Sequence, residues 1–241
     1  MAIPLDELVN ITLLTVAVTI GATALGSLLG IPLGLLLVLE RFPGRGAIRT
    51  IVYALYAFPP IVAGVLLYLL LRREGPLGDL GLLFTPVAIL LGETLLTTPL
   101  IAGLTVSAVA ELPPEVIEIV DSGGPSLRQR AIALLREARF GVTAAVLVGY
   151  GRSLAEVAAA LILGGNIRGE TRTLGTAILL EVNQGDFEFA LALSALILAQ
   201  ALFMAFLLRR LQRAERAFAH RIDTSHGRPK RPTSEKTGVE G

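Results

Sequence analysis

The chain has 241 residues, of which 53% are hydrophobic and only 17% charged, and its mean hydropathy is +0.69. Soluble domains carry about 25% charged residues, so this composition predicts a protein whose main solvent is lipid. The chain has no cysteine, which excludes a disulfide framework, a thiolate metal site and a cysteine nucleophile. The net charge of +1 conceals an asymmetry, because residues 1–40 contain no Lys or Arg and residues 209–241 contain nine.

The first long apolar stretch, residues 11–39, follows a short N-terminal segment of residues 1–10. About 20 residues suffice to cross about 30 Å of hydrocarbon, so we expect this stretch to tilt or to bend near Pro32. Small residues recur in it at every fourth position, namely Ala22, Gly26, Gly30 and Gly34. This spacing predicts a helix face on which another helix packs closely, either from the same chain or from a second copy.

Two further stretches, residues 51–71 and 86–110, are also long enough to span a membrane. In the first, Pro59 and Pro60 predict a break, which is either part of a gate or a static kink. The second contains one acid followed by hydroxyl and proline residues: Glu93, Thr94, Thr97, Thr98 and Pro99. We expect Glu93 and the threonines either to line a solute path or to hold helices together.

The segment of residues 111–139 is too long and too charged to be a simple connector, since it carries five acids and four arginines. Pro113 and Pro114 stand at its start, and Gly123, Gly124 and Pro125 follow near its middle. Because these residues interrupt helices, the segment is predicted to form two short helices with a break, exposed on the inner side of the membrane.

The fourth apolar stretch, residues 140–164, contains the polar run from Tyr150 to Glu156. Arg152 and Glu156 are one helical turn apart and are therefore expected to pair. A charge near the middle of a membrane costs about 2.5 to 3.5 kcal/mol, so such a pair either lines a path or fixes neighbouring helices. The outer segment that follows, residues 165–188, is expected to lie partly in or along the membrane interface.

The fifth stretch, residues 189–208, precedes a basic tail of residues 209–241 that is expected to be disordered from about residue 222. With five spans and the N-terminus outside, sixteen Lys and Arg residues lie inside and four outside. The positive-inside rule therefore predicts an N-out, C-in orientation. The expected fold is all-α, with a transmembrane domain over residues 11–208.

Several kinds of chemistry are excluded by the positions of rare residues. The only lysines, Lys230 and Lys236, lie in the tail, so the chain has no phosphate-binding GxxxxGK[ST] loop. The only histidines, His220 and His226, also follow the last span. We therefore expect no catalytic residue, no metal site and no cofactor, and the chain is predicted to be a transport subunit and not an enzyme.

Residues 118–124 read E-I-V-D-S-G-G, with a glycine six positions after the glutamate. This run resembles the EAA loop of ATP-binding-cassette (ABC) importer permeases, with Ile119 and Val120 in place of the two alanines. In that family the loop forms a short coupling helix that sits in a groove of a cytoplasmic ATPase. The resemblance therefore implies a set of coupling residues: Glu115, Glu118, Ile119, Val120, Asp121, Gly123 and Gly124.

The residues that follow make the resemblance more specific. They read E-A-R-F at 137–140, G-R-S-L-A-E-V at 151–157, G-G-N-I at 164–167, T-R at 171–172 and A-I-L-L-E at 177–181. Over residues 8–210 the chain resembles the permease subunits of oxyanion importers, tungstate permeases most of all, with molybdate and sulfate permeases as relatives.

The resemblance implies an ATP-driven importer of the type I fold in the prokaryotic cell (inner) membrane, with tungstate as the first candidate solute. The implied partners are a second copy of the chain, cytoplasmic ABC ATPase subunits, an extracytoplasmic oxyanion-binding protein and the lipid bilayer, without nucleic acid. The expected translocation path comprises Glu93, Thr94, Thr97, Thr98, Tyr150, Arg152, Ser153 and Glu156. The expected surface for the binding protein comprises Asn166, Arg168, Thr171 and Arg172.

One alternative belongs to a different class of transporter. A secondary carrier would use Glu93, Arg152 and Glu156 as an ion relay and would need no ATPase. Such carriers are typically longer or show an inverted internal repeat, and neither feature is visible here. Copurification with a nucleotide-hydrolysing partner would discriminate between the two classes.

Overall fold

A computed structural model describes residues 5–39 and 43–225, and over these residues the chain is all-helical, without β-strands. It contains ten α-helices and two 3₁₀ turns, Leu55–Ala57 and Gly78–Leu80, within the described residues. The α-helices are α1 (Leu5–Leu39), α2 (Arg45–Ala54), α3 (Pro60–Leu71), α4 (Pro86–Ala110), α5 (Pro114–Ser122), α6 (Leu127–Glu137), α7 (Arg139–Leu154), α8 (Ala158–Gly164), α9 (Leu174–Gln184) and α10 (Phe187–Ser225).

In the part of the chain that the structure describes, three helices are long and apolar enough to cross a membrane: α1, α4 and the part of α10 that covers Phe187–Arg210. The predicted fourth span consists of two helices, α7 and α8, which together are long enough but are bent by 59°. The all-α membrane fold predicted from the sequence is therefore confirmed, and one of its spans is broken.

The stretch of residues 51–71 is broken at Pro59 and Pro60, as the sequence predicted, but the helix after the break is shorter than the expected span. Residues 51–54 belong to α2, a 3₁₀ turn follows, and α3 begins only at Pro60. Pro59 has an extended backbone, with φ −65° and ψ 125°, because two adjacent prolines supply no N–H groups to continue the helix. With 12 residues, α3 is roughly 18 Å long and does not cross about 30 Å of hydrocarbon by itself.

The small residues of α1 pack against α4 of the same chain, which settles the question that the sequence left open. A Cβ atom on Gly26 would lie 2.5 Å from the Thr97 hydroxyl, and one on Gly30 would lie 2.7 Å from the Thr98 carbonyl oxygen. A Cβ on Gly34 would collide with the Ala102 carbonyl oxygen. The two backbones approach closely because these positions carry no side chain.

The contacts at the two ends of α1 show at which end of the helix bundle each connecting segment lies. Near its C-terminus, Leu35 packs in one apolar cluster with Leu134 of α6 and Val142 of α7. Near its N-terminus, Ile11 packs against Leu174 of α9. The segments at residues 111–139 and 165–188 therefore lie at opposite ends of the bundle. Which end faces the cytoplasm is still a prediction, made from the distribution of Lys and Arg.

Helix α10 lies at the periphery of the bundle. Phe189, Ala190 and Leu193 are its buried residues among the described side chains, whereas Leu191 is 70% and Leu202 62% exposed. An apolar helix with this exposure faces lipid or another subunit. The helix continues to Ser225, and the rest of the segment that was expected to be disordered, residues 226–241, lies outside the described residues.

Candidate coupling and transport sites

The predicted coupling residues form α5, a nine-residue helix with no buried residue. It begins at a proline, Pro114, whose missing N–H costs nothing in a first helical turn. It ends at Ser122 and is followed by Gly123 and by Gly124, which has a φ of +59°, a conformation that glycine adopts without strain. Two short helices with a break at the glycines are what the sequence predicted for this segment.

The two faces of α5 differ in their contacts. Val120 packs against the apolar cluster around Leu134 and Val142. Glu115, Glu118 and Asp121 are exposed. Ile119 is 72% exposed although it is large and apolar. The outward face of α5 therefore combines carboxylates with an unburied isoleucine.

Helix α5 is rigidly attached to the bundle. The Asp121 carboxylate forms an ion pair with the Arg130 guanidinium of α6, with N–O distances of 2.7 and 2.8 Å. The start of α6 is fixed by a capping box between Ser126 and Gln129. Leu134 of α6 packs in the cluster that also contains residues of α1, α4 and α7, so α5 is connected through α6 to three of the membrane helices.

Four of the predicted path residues meet where α4 passes the break between α7 and α8. Glu93 of α4 is 3% exposed and accepts a hydrogen bond from the Ser153 hydroxyl at the end of α7. Glu156, in the break, is 5% exposed. Its Oε2 accepts a hydrogen bond from Arg152 at 2.8 Å, and its Oε1 accepts one from the Ala159 backbone N–H at 3.1 Å.

The threonines of α4 have their hydroxyls turned to backbone carbonyls. Thr94 donates to Leu90 at 2.7 Å, Thr97 to Glu93 at 2.9 Å and Thr98 to Thr94 at 2.7 Å. Thr97 is fully buried, whereas Thr94 and Thr98 line a groove of about 500 Å³ whose other walls are apolar. These three bonds lie within α4 and go to carbonyls that already belong to its helical ladder. Whether the threonines line a path or hold helices together stays a prediction.

Tyr150 lies one turn before the break, in α7, and is 9% exposed. The structure therefore places most of the predicted path set inside the subunit: Glu93, Thr97, Tyr150, Ser153 and Glu156. Arg152 keeps 32% of its side chain exposed.

The predicted outer surface contains residues with two different roles. Thr171 is fully buried, donates to the Gly164 carbonyl at 2.5 Å and accepts from the Ile167 N–H at 2.9 Å, so it stabilises the loop and is not available to a partner. Asn166, which has a φ of +54°, forms the turn beside it and is partly exposed. Arg168 is the most accessible of the four, with 68% of its side chain exposed.

The sequence analysis missed Glu7, which bridges the two arginines of the outer segment. Its carboxylate pairs with Arg168 at 2.5 Å and with Arg172 at 3.0 Å. Glu7 and Arg172 border a cleft of about 340 Å³ at this end of the bundle. The available signal was charge complementarity, because the predicted orientation places these acids and bases on the same side.

A family model described as "Binding-protein-dependent transport system inner membrane component" matches residues 11–217. A probable anion ABC transporter permease protein of Haloferax volcanii is 37% identical to the chain over 203 residues, which cover 82% of the chain and 88% of the relative. The tungstate uptake system permease protein TupB of Campylobacter jejuni is 35% identical and is aligned over 73% of the chain and 71% of its own length. Sulfate and molybdenum transport permeases are among the other relatives.

A solved structure with the same fold is that of the MetNI methionine ABC transporter in inward-facing conformations. Its matching chain superposes with a TM-score of 0.70 at 22% identity, over 89% of this chain and 99% of that one. At this level of identity the likeness concerns the fold.

Proposed function

Because the chain belongs to the family of binding-protein-dependent transport system inner membrane components and is a permease of the anion-transporting ABC type, we propose that it is the membrane-spanning subunit of an ATP-driven oxyanion importer. Tungstate is the first candidate solute, because two relatives above 30% identity are tungstate permeases. Molybdate and sulfate come next, since permeases for these elements are more distant relatives.

The observation that carries this proposal is the geometry of α5. A helix without a buried residue exposes Ile119 and two glutamates, yet it is tied through Asp121 and Val120 to the helices of the bundle. Because the chain has no phosphate-binding loop of its own, the energy of ATP must come from a partner. In the proposal, cytoplasmic ATPase subunits bind to Glu115, Glu118 and Ile119 and move α5. Gly123 and Gly124 follow the end of this helix.

The proposed assembly contains a second copy of this chain in the prokaryotic cell membrane. Large apolar side chains remain exposed on several helices, among them Leu28 of α1 at 69% and Ile61 of α3 at 56%. Such side chains suit lipid or a second bundle. An extracytoplasmic binding protein would approach the opposite end of the bundle, where Arg168 offers an accessible polar group.

Within the proposed path, Arg152 is the residue that contacts the anion directly. It is the residue of the buried cluster that keeps a substantial exposed fraction, 32%, and its charge is already balanced by Glu156. A balanced guanidinium binds an anion weakly and releases it, which a permease requires. High-affinity selection is assigned to the binding protein, so the purified permease alone is expected to bind tungstate more weakly than micromolar.

The test uses the full chain, assembled with its ATPase and binding protein in proteoliposomes, and compares Gly124→Val with Gly123→Ala. Both positions have open space where a Cβ atom would lie, but Gly124 has a φ of +59° and Gly123 has a φ of −80°. A branched side chain at Gly124 costs about 1–2 kcal/mol in that conformation and should distort the end of α5.

We expect Gly124→Val to keep ATP hydrolysis and to lose at least about tenfold in tungstate uptake per ATP, a change of about 1.4 kcal/mol in coupling. Gly123→Ala should transport like the unchanged chain. Uptake by the unchanged chain that needs no ATP, or full uptake by Gly124→Val, would contradict the proposal.

A further inference from the structure

The break between α7 and α8 has an unusual cause. Sharp bends in helices occur almost always at proline, at glycine or serine pairs, at a π-bulge or where a side chain inserts into the hydrogen-bond ladder. The break covers Ala155, Glu156 and Val157, none of which is proline or glycine, yet the two helices are bent by 59°. Glu156 lies in the break, and its side chain forms hydrogen bonds to residues on both arms.

The carboxylate of Glu156 contacts both arms of the bend. Its Oε1 accepts the N–H of Ala159, one of the first-turn donors that α8 leaves without a helical partner. Its Oε2 accepts a hydrogen bond from Arg152 in the last turn of α7 at 2.8 Å. The side chain is almost fully buried, so water competes little for either contact.

A second carboxylate anchors the same place to the bundle. Ser153, at the end of α7, is 2% exposed and donates its hydroxyl hydrogen bond to Glu93 of α4. Glu93 therefore fixes the end of the first arm, while Glu156 fixes the angle of the second arm relative to it.

We infer that Glu156 is a clasp that holds the bend between α7 and α8, with Arg152 and Glu93 as positioning residues, and that neither carboxylate is a ligand for the solute. The bend is the joint between two otherwise rigid segments. On one side, α7 packs with α6 and α5 in a single apolar cluster. On the other side, the end of α8 at Gly164 accepts a hydrogen bond from Thr171 of the outer segment. The clasp thus sets how a movement of α5 reaches the opposite end of the bundle, a role in transport that rests on the proposed function.

The clasp itself is testable on the full-length permease alone, in lipid nanodiscs without ATPase or solute. The chain has no cysteine, so two introduced cysteines give a clean pair of spin labels. Val148→Cys in α7 and Leu161→Cys in α8 place one label on each arm, at positions that are 40% and 36% exposed. Pulsed electron paramagnetic resonance then measures the distance between the labels.

In this background we expect one narrow distance. Glu156→Ala removes both contacts and should lengthen and broaden the distribution, because the bend is free to straighten. Glu156→Gln and Arg152→Gln each remove the ion pair between residues 152 and 156 but keep the hydrogen bond from the Ala159 N–H. Each should therefore give a smaller change in the same direction. The matched control is Glu181→Gln, which changes a buried acid of α9 that is 8% exposed, and it should leave the distance unaltered.

An unchanged distance in Glu156→Ala would overturn the inference. If that variant fails to insert, unchanged distances in both Glu156→Gln and Arg152→Gln would overturn it equally. Lost uptake in Glu156→Gln with an unchanged distance is the signature of a solute ligand and would refute the clasp while leaving the proposed function intact. Uptake by the unchanged chain that is independent of ATP would refute the proposed function without affecting the distances.

Discussion

Replacing Gly30 by alanine should destabilise the bundle through the contact between α1 and α4. The added Cβ would lie 2.7 Å from the Thr98 carbonyl oxygen and 3.1 Å from the Ala102 nitrogen. Both are backbone atoms, so the clash is relieved only if the helices separate. Overpacking of this kind costs about 1–3 kcal/mol, while the change from glycine to alanine in a helix returns roughly 0.5–1 kcal/mol. The expected net loss is about 0–2.5 kcal/mol, with a midpoint of about 1 kcal/mol.

A series of alanine variants separates these two effects. At Gly34 the Cβ would collide with a carbonyl oxygen, so the loss should be at least as large as at Gly30. At Gly26 the nearest atom belongs to the Thr97 side chain, which can rotate, so the loss should be smaller. Gly46 in α2 has no atom within 4 Å of an added Cβ, and Gly46→Ala should leave stability unchanged or raise it slightly.

The assay is equilibrium unfolding of the purified permease in mixed micelles, with membrane insertion checked for each variant. From the most to the least stable variant, the predicted order is Gly46→Ala, then Gly26→Ala, then Gly30→Ala and Gly34→Ala. If Gly30→Ala were as stable as Gly46→Ala, the close contact between α1 and α4 would be refuted.

Two further predictions concern other contacts. Glu7→Gln should lower the free energy of unfolding by about 1.5–3 kcal/mol because it leaves Arg172 without its charged partner, whereas Arg168→Gln should cost less than about 1 kcal/mol because Arg168 is mostly exposed. Equal losses in the two variants, measured by the same unfolding assay, would contradict this assignment. Gly103→Ala should be strongly destabilising because its Cβ would overlap the Tyr56 ring and hydroxyl, and Tyr56→Leu should restore part of the loss. The lack of any rescue in the double variant would show that Tyr56 does not pack there.

Much of the fold follows from local features of the sequence. The spacing of Ala22, Gly26, Gly30 and Gly34 predicts a close helix contact, and the structure supplies α4 as the partner. The prolines and glycines of residues 111–139 predict two short helices because such residues change the backbone directly. Pro59 and Pro60 indicate a break, although the length of α3 also depends on where the chain turns after Leu71.

The remaining features depend on contacts between distant residues. Nothing in the run Ala155, Glu156 and Val157 suggests a bend, because its cause is a side chain that bonds to both arms. The ion pair of Glu7 with Arg172 joins positions 165 residues apart. Thr171 looks like a surface hydroxyl in the sequence but is buried by the fold of its own loop. The charge pattern places Glu7 and Arg172 on the same side of the membrane but does not say which charges pair, so these contacts emerge only in three dimensions.

The proposed coupling requires that α5 faces the cytoplasm, where an ATPase can move it. Ile119→Cys and Leu80→Cys give single thiols at positions that are 72% and 60% exposed, on opposite sides of the membrane in the predicted orientation. A membrane-impermeant maleimide applied to intact cells should label Leu80→Cys at once and Ile119→Cys only after the membrane is permeabilised. Labelling of Ile119→Cys in intact cells would place α5 outside and contradict the account.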